Sequence, residues 1–201
     1  MTTFKIGYFV GSLATGSINR TLSKALIKLA PEELQFTEIP IKDLPLYSYD
    51  YDDDYPPVAR QLKDAIASSD GILFVSPEYN RSIPGALKNA IDWGSRPWGE
   101  NSFARKPTGI IGASAGAIGT AVMQASMRSV LSFLDAPQMN SPEAYISFDP
   151  EVYGEDGEVH DESAAQFLRH YMEEYSAFVQ RVLAATAPGH IGDLEVDYSR
   201  K

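Results

Sequence analysis

The chain contains no cysteine among its 201 residues. That absence excludes disulfides, thiolate metal centres and a cysteine nucleophile, and it fits a cytoplasmic location. Long apolar runs are missing as well. No stretch reaches the roughly 18 residues that a membrane-spanning helix needs, so no integral membrane segment is expected. The start, Met1 to Lys5, enters a strand pattern at once and carries no signal-peptide pattern. Positive charge is scarce: 17 Lys and Arg stand against 27 Asp and Glu, for a formal net charge of −10 and a pI of about 4.7. Without a basic footprint or a Lys/Arg run, nucleic acid is not an expected partner. Histidine is sparse, and His160, His170 and His190 share no ligand spacing, so no metal site is expected.

What is present is a regular alternation of two patterns. Apolar residues make up 44% of the chain, enough for one sizeable core. Short apolar runs at Lys5 to Val10, Gly71 to Ser76 and Thr108 to Ala113 read as buried strands, with weaker strands at Phe36 to Ile39 and Ala144 to Phe148. Between them, apolar residues recur at helical spacing. The spacing predicts helices over Ser17 to Leu29, Val58 to Ala67, Pro84 to Trp93 and Ala117 to Leu134. A last helix runs from Ser163 to Ala185, with Phe167, Leu168, Tyr171, Tyr175, Phe178, Val179 and Val182 as its buried stripe. Five strands alternating with five helices imply an α/β fold with a parallel sheet covered on both faces. One domain is expected over residues 1–188, followed by a polar tail from Gly189 to Lys201.

In such sheets ligands bind beyond the carboxyl ends of the strands, where the strand order reverses. With order 2-1-3-4-5 the reversal falls between strands 1 and 3. The loops after those strands are the two most unusual in the chain. The first, Gly11 to Asn19, holds two Gly, two Ser, a Thr and an Asn at a helix N-terminus. Free N–H groups and the helix dipole favour an anion there, with hydroxyls and the Asn19 amide as neutral donors. It lacks the Gly-Lys-Ser/Thr ending of a P-loop and the G-x-G-x-x-G order, which favours a single terminal phosphate over a triphosphate or pyrophosphate. A turn with a capping box explains the same residues. The second loop, Ser76 to Gly85, is stiffened by two prolines. Its backbone N–H groups suit the polar edge of a flat ring and Tyr79 an apolar wall; a structural turn with Glu78 capping a helix is the alternative. A third loop, Ser114 to Gly119, is built of small residues that either line a ring or let a helix pack closely.

These residues carry a resemblance. Gly11-Ser12-Leu13, Gly16-Ser17 and Asn19, then Pro77-Glu78-Tyr79-Asn80, Ser82, Pro84-Gly85 and Leu87 to Trp93 resemble the NADPH-dependent FMN reductase family, including the bacterial quinone and chromate reductases. The segment from Pro77 to Trp93 is the specific part. The resemblance implies a flavodoxin-like three-layer sandwich that binds FMN non-covalently and uses NADPH or NADH as co-substrate. It implies that Ser12, Ser17, Ile18 and Asn19 hold the FMN phosphate, that Pro77, Glu78, Tyr79 and Asn80 hold the isoalloxazine largely through backbone groups, and that Ser114 and Gly116 lie close to the ring. It implies hydride transfer through flavin N5 to quinones, flavins or similar small acceptors in a ping-pong cycle, with no catalytic side chain assigned. An electron carrier of flavodoxin type is the competing reading. So is a member that has lost FMN because of Ala14; against the carrier, the first loop lacks the Thr-rich pattern of flavodoxins.

Two departures from the family stand out. Ala14 replaces an Arg that helps neutralise the phosphate, a contact worth about 1.5–3 kcal/mol, with either nearby Arg20 or the backbone nest alone to compensate. Arg81 stands where relatives often carry an aromatic residue, an exposed cation suited to the phosphate of NADPH. The family also implies a homodimer or homotetramer, with Arg128 and Glu143 at positions that pair across subunits. Finally, the acidic and aromatic run Tyr47 to Tyr55 reads as a solvated loop, a flap edging the site or a subunit contact; Trp93 reads as packing at its helix end, or with Trp98 as a dimer or ring-facing wall.

Overall fold

The computed structural model describes residues 2–186, so the tail from Gly189 to Lys201 lies outside the described residues. Five parallel strands, β1 (Phe4–Val10), β2 (Leu34–Glu38), β3 (Gly71–Val75), β4 (Thr108–Ser114) and β5 (Tyr145–Ser147), form one sheet of order β2-β1-β3-β4-β5. β3 sits at its centre with every residue buried, which is why its sequence, GILFV, shows no alternation.

Helices cover both faces. On one lie α2 (Pro57–Ala67), α3 (Gly85–Gly94) and α4 (Ala121–Phe133). They bury Leu62, Ile66, Ile91, Trp93, Met123 and Met127 against Phe9, Ile72, Phe74 and Ile110 of the strands. On the other lie α1 (Ile18–Leu29) and α5 (Glu162–Thr186), burying Leu22, Leu26, Leu168, Tyr171, Met172 and Tyr175 against Ile6, Leu73, Val75 and Ile111. Successive strand residues point to opposite faces, so one strand feeds both cores. Phe9 and Phe74 stack with ring centroids 5.2 Å apart on the first face.

The sequence expectations need three corrections here. The fourth helix starts at Ala121 rather than Ala117, because Gly116 to Gly119 closes a turn first: the Gly119 amide donates to the Gly116 carbonyl at 3.0 Å. Gly119 has φ +57, and a Cβ there would lie 2.7 Å from the Tyr145 carbonyl carbon, so only glycine fits. On α5 the buried stripe is Leu168, Tyr171, Met172, Tyr175 and Val179, and Phe167 is exposed. Its place one residue before Leu168 turns it about 100° off the stripe.

The third correction concerns Tyr47 to Tyr55, which is solvated on one side only. It folds around a short 3₁₀ turn, Tyr49–Tyr51. Trp93, fully buried, meets the rings of Tyr47, Tyr51 and Tyr55 at centroid distances of 5.1, 5.5 and 5.0 Å. Its indole N–H donates to the Pro45 carbonyl at 2.7 Å, and the Asn89 amide donates to the same oxygen at 2.9 Å. Burial pushes the Tyr47 hydroxyl up to about 12, aided by its bond to Asp52. The aromatic residues thus pin the segment to α3 while its aspartates face water. Trp98 is half exposed under the Arg96 guanidinium, so it and Trp93 form no common wall.

Candidate functional site

The strand order reverses between β1 and β3, and their carboxyl ends open onto three loops. The register pairs Val10 with Val75, and beyond it the Gly11 amide donates to the Val75 carbonyl at 2.9 Å. A Cβ on Gly11 would stand 2.2 Å from the Ser76 hydroxyl, so glycine lets the first two loops leave the sheet side by side.

The first loop leads into α1. Ser17 stands at the N-cap position, yet its hydroxyl makes no capping bond, and the first turn of α1 holds no acidic residue. Its carbonyl does accept from Arg20 and Thr21, as a helix start requires. Ser12 is buried, and its hydroxyl accepts the Ala14 amide at 3.3 Å. A Cβ on Gly16 would meet nothing within 4 Å. The turn is therefore an open cradle facing a helix N-terminus that no side chain caps, and the capping-box explanation does not hold. This donor set fits a phosphate.

Two residues expected to serve that phosphate are committed elsewhere. Asn19 is fully buried; its amide nitrogen donates to the Ala113 carbonyl at 2.9 Å and its oxygen accepts the Ala113 amide at 2.9 Å. The side chain completes a pairing with β4 and has nothing left for a ligand, so only the backbone amide of Asn19 can contribute. Arg20 cannot replace the family arginine missing at Ala14. Both its terminal nitrogens bond Glu38, at 2.8 and 2.9 Å, on the far side of β1 from β3. Ile18 begins α1 half-buried, so its contribution to an anion site is its main-chain amide.

In the second loop Tyr79 and Ser82 exchange both backbone hydrogen bonds, at 3.1 and 3.0 Å, around Asn80 (φ 51) and Arg81 (φ 61). Two successive left-handed residues make this a primed two-residue hairpin turn. The Tyr79 amide is consequently spent, which leaves Asn80 and Arg81 at the tip as the main-chain donors. The Tyr79 ring is half exposed, available as an apolar wall.

Glu78 behaves as the capping alternative requires. One carboxylate oxygen accepts the Val122 and Met123 amides, both at 3.0 Å, in the first turn of α4. The other accepts from Arg81 at 3.2 Å, and the side chain is only 8% exposed. Glu78 therefore ties the second loop to the helix that follows the third. In that third loop the Ser114 hydroxyl donates to the Gly119 carbonyl at 2.7 Å and accepts the Gly116 amide at 3.2 Å, bracing the turn from inside. Exposed Leu13, Tyr79 and Ile118 give the three loops apolar surfaces for a flat ring.

Sequence reasoning offered Glu78 as a helix cap without naming α4, and it missed the Asn19 pairing with β4; both contacts join residues more than 40 positions apart. A cleft of about 520 Å³, lined by Gln138 to Pro142 and one side of α5, lies instead near the start of β4, at the opposite edge of the sheet. Among the described residues no group of three or more His, Asp or Glu gathers as a metal would need, and no helix is long and apolar enough to cross a membrane.

A parallel 2-1-3-4-5 sheet between helical layers, with an uncapped helix N-terminus at its switch point, defines a flavodoxin-like mononucleotide-binding protein. A flavodoxin variant from Pseudomonas aeruginosa shares that fold at TM-score 0.51 and 16% identity, over 88% of this chain and 99% of its own. Residues 4–151 match the NADPH-dependent FMN reductase family, and the chain belongs to that family. It is a flavin-dependent oxidoreductase whose cofactors are FMN and a nicotinamide nucleotide. The 2-hydroxy-1,4-benzoquinone reductase of a Burkholderia species is 49% identical over 176 residues, 88% of this chain and 96% of that protein. The structure of the flavoenzyme NAD(P)H:(acceptor) oxidoreductase of Paracoccus denitrificans matches at TM-score 0.86 and 42% identity, over 89% and 98% of the two chains.

Proposed function

We propose that this protein reduces quinones and similar small, flat acceptors with electrons from NADH or NADPH, one substrate after the other at a single FMN site. The observation that carries the reading is the uncapped start of α1, opening beside the exposed Tyr79 ring at the switch point. In this reading Ser12, Ser17 and the backbone amides of Ile18 and Asn19 receive the FMN phosphate. Pro77, Glu78, Tyr79 and Asn80 flank the ring, with Ser114 and Gly116 holding the third loop against it. FMN supplies the hydride-accepting N5, so no side chain is asked to act as acid or base. The protein positions: Glu78 keeps two loops in register, and small residues admit a flat partner. The quinone-reducing relative of 49% identity supports quinones as the acceptors.

A homodimer or homotetramer fits the same reading. Val122 and Phe133, three turns apart, share an outward face of α4 and are both exposed. Within the chain Arg128 donates to the Met139 carbonyl at 3.1 Å and to Asn140 at 3.3 Å, which holds it on this flank.

Anaerobic mixing of the FMN-loaded protein with NADPH or NADH tests the proposal. The visible flavin absorbance should bleach within seconds and return on adding a quinone. Parallel initial-rate lines would mark sequential use of one site. A flavin that stays oxidised for minutes would identify an electron carrier instead and overturn the reading.

A further inference from the structure

The flavin reading leaves one charged group beside the site without a task. Arg81 occupies the tip of the Tyr79–Ser82 hairpin, where the two backbone bonds and two left-handed residues fix the main chain. Its side chain is 66% exposed, and a single nitrogen touches Glu78. Glu78 depends little on that contact. It is nearly buried, and its second oxygen takes two amides of α4, where the helix dipole already favours a negative charge. The carboxylate is thus satisfied from behind, and the rest of the guanidinium fork is open to water. In a chain of net charge −10, an exposed cation held on a rigid turn at the mouth of the cofactor site is an exception.

We propose that Arg81 recognises the 2′-phosphate of NADPH and sets the preference for NADPH over NADH. The inference rests on the reading above, in which the nicotinamide lies over a flavin held by this loop. A guanidinium fork suits a phosphate monoester bidentately, and the 2′-phosphate is the one group that distinguishes the two nucleotides. Salt screens such an exposed contact, so the discrimination should weaken as ionic strength rises.

The test is binding of NADP⁺ and of NAD⁺ to the FMN-loaded protein by titration calorimetry, which needs no turnover. Arg81→Asn removes the charge while tolerating the left-handed backbone, and Arg81→Lys restores the charge without the fork. Arg81→Asn should weaken NADP⁺ by about 10- to 100-fold, the range of a charge-assisted contact, and NAD⁺ by less than about twofold. Arg81→Lys should recover part of the loss. In steady state the penalty with NADPH should fall on KM rather than kcat. Equal weakening of both nucleotides would point to a pyrophosphate contact or a damaged loop and would overturn the inference. So would unchanged NADP⁺ binding, or a loss confined to FMN. Arg81-dependent NADP⁺ binding in a protein whose flavin neither nucleotide reduces would count against the redox reading alone.

Discussion

Tyr175 carries a hydroxyl that has no partner among the described residues, although the ring is fully buried. Its neighbour Tyr171, one turn earlier on α5, donates to the Ile110 carbonyl at 2.9 Å, so the two tyrosines share a face but not a solution. Tyr175 is there for its ring: a Cβ on Gly109 would come within 2.9 Å of it, and the missing side chain makes its slot. An orphaned buried hydroxyl costs about 1–3 kcal/mol. Tyr175→Phe should therefore stabilise the protein by about 1 kcal/mol, read as a rise of ~2–4 °C in Tm. An unchanged or lower Tm would show that the hydroxyl has a partner in solution. Asn19 illustrates the opposite case, an interior polar side chain with both ends satisfied. Its two bonds to Ala113 clamp the first turn of α1 to β4, beside the switch point.

At the scale of elements, one carboxylate holds two of the site's loops together. Glu78 caps α4 in place of a local residue, since Thr120 at the N-cap position makes no capping bond. Glu78→Ala should lose the cap, worth about 0.5–2 kcal/mol, and loosen the ring-facing loop, so Tm and FMN affinity should fall together. Glu78→Gln keeps an acceptor for the two amides and should retain most of both. If the Ala variant lost stability yet bound FMN as before, the latch would be a matter of stability only. The segment from Tyr47 to Tyr55 obeys a similar logic. Its aspartates suggest a soluble loop, but the tyrosines and Trp93 bury enough ring area to fix it to α3.

For the whole molecule, burial of tyrosine dominates the alkaline limit of stability. Seven of the eleven tyrosines, Tyr8, Tyr47, Tyr55, Tyr145, Tyr153, Tyr171 and Tyr175, have hydroxyls pushed up, in each case first by loss of water. A group whose folded pKa lies above its unfolded value holds more protons in the folded state. Its contribution is complete below the unfolded value of about 10 and is lost as pH rises through the folded one. Stability should accordingly fall from pH ~10 upward. Phenolate absorbance should appear in two phases, the later one coinciding with the loss of helical circular dichroism. A single early phase, with the helices intact, would mean that the buried hydroxyls reach water without unfolding. Two lysines mark a smaller cost of burial. Lys106 is lowered first by desolvation while its ammonium bonds the carbonyls of Ala67 and Ser69, just past α2; Lys63 is lowered likewise while bonding those of Arg96 and Glu100.

Local pattern determined much of this protein by itself. Apolar runs such as GILFV, short and bounded by turn residues, read as central strands, and helical spacing located five helices with boundaries that moved by a residue or two, apart from the start of α4. The order of strands and helices, with Pro77 to Trp93, was enough to place the chain in its family. Tertiary structure decided what each polar side chain is free to do. Asn19, Arg20 and Glu78 look alike as donors or acceptors near a ligand. Their partners, Ala113, Glu38 and the start of α4, lie 94, 18 and about 44 positions away, and only the folded chain brings them together. Periodicity reports which face is buried, because burial repeats with the local backbone. Hydrogen-bond commitment depends on the fold around each group and leaves no period in the sequence.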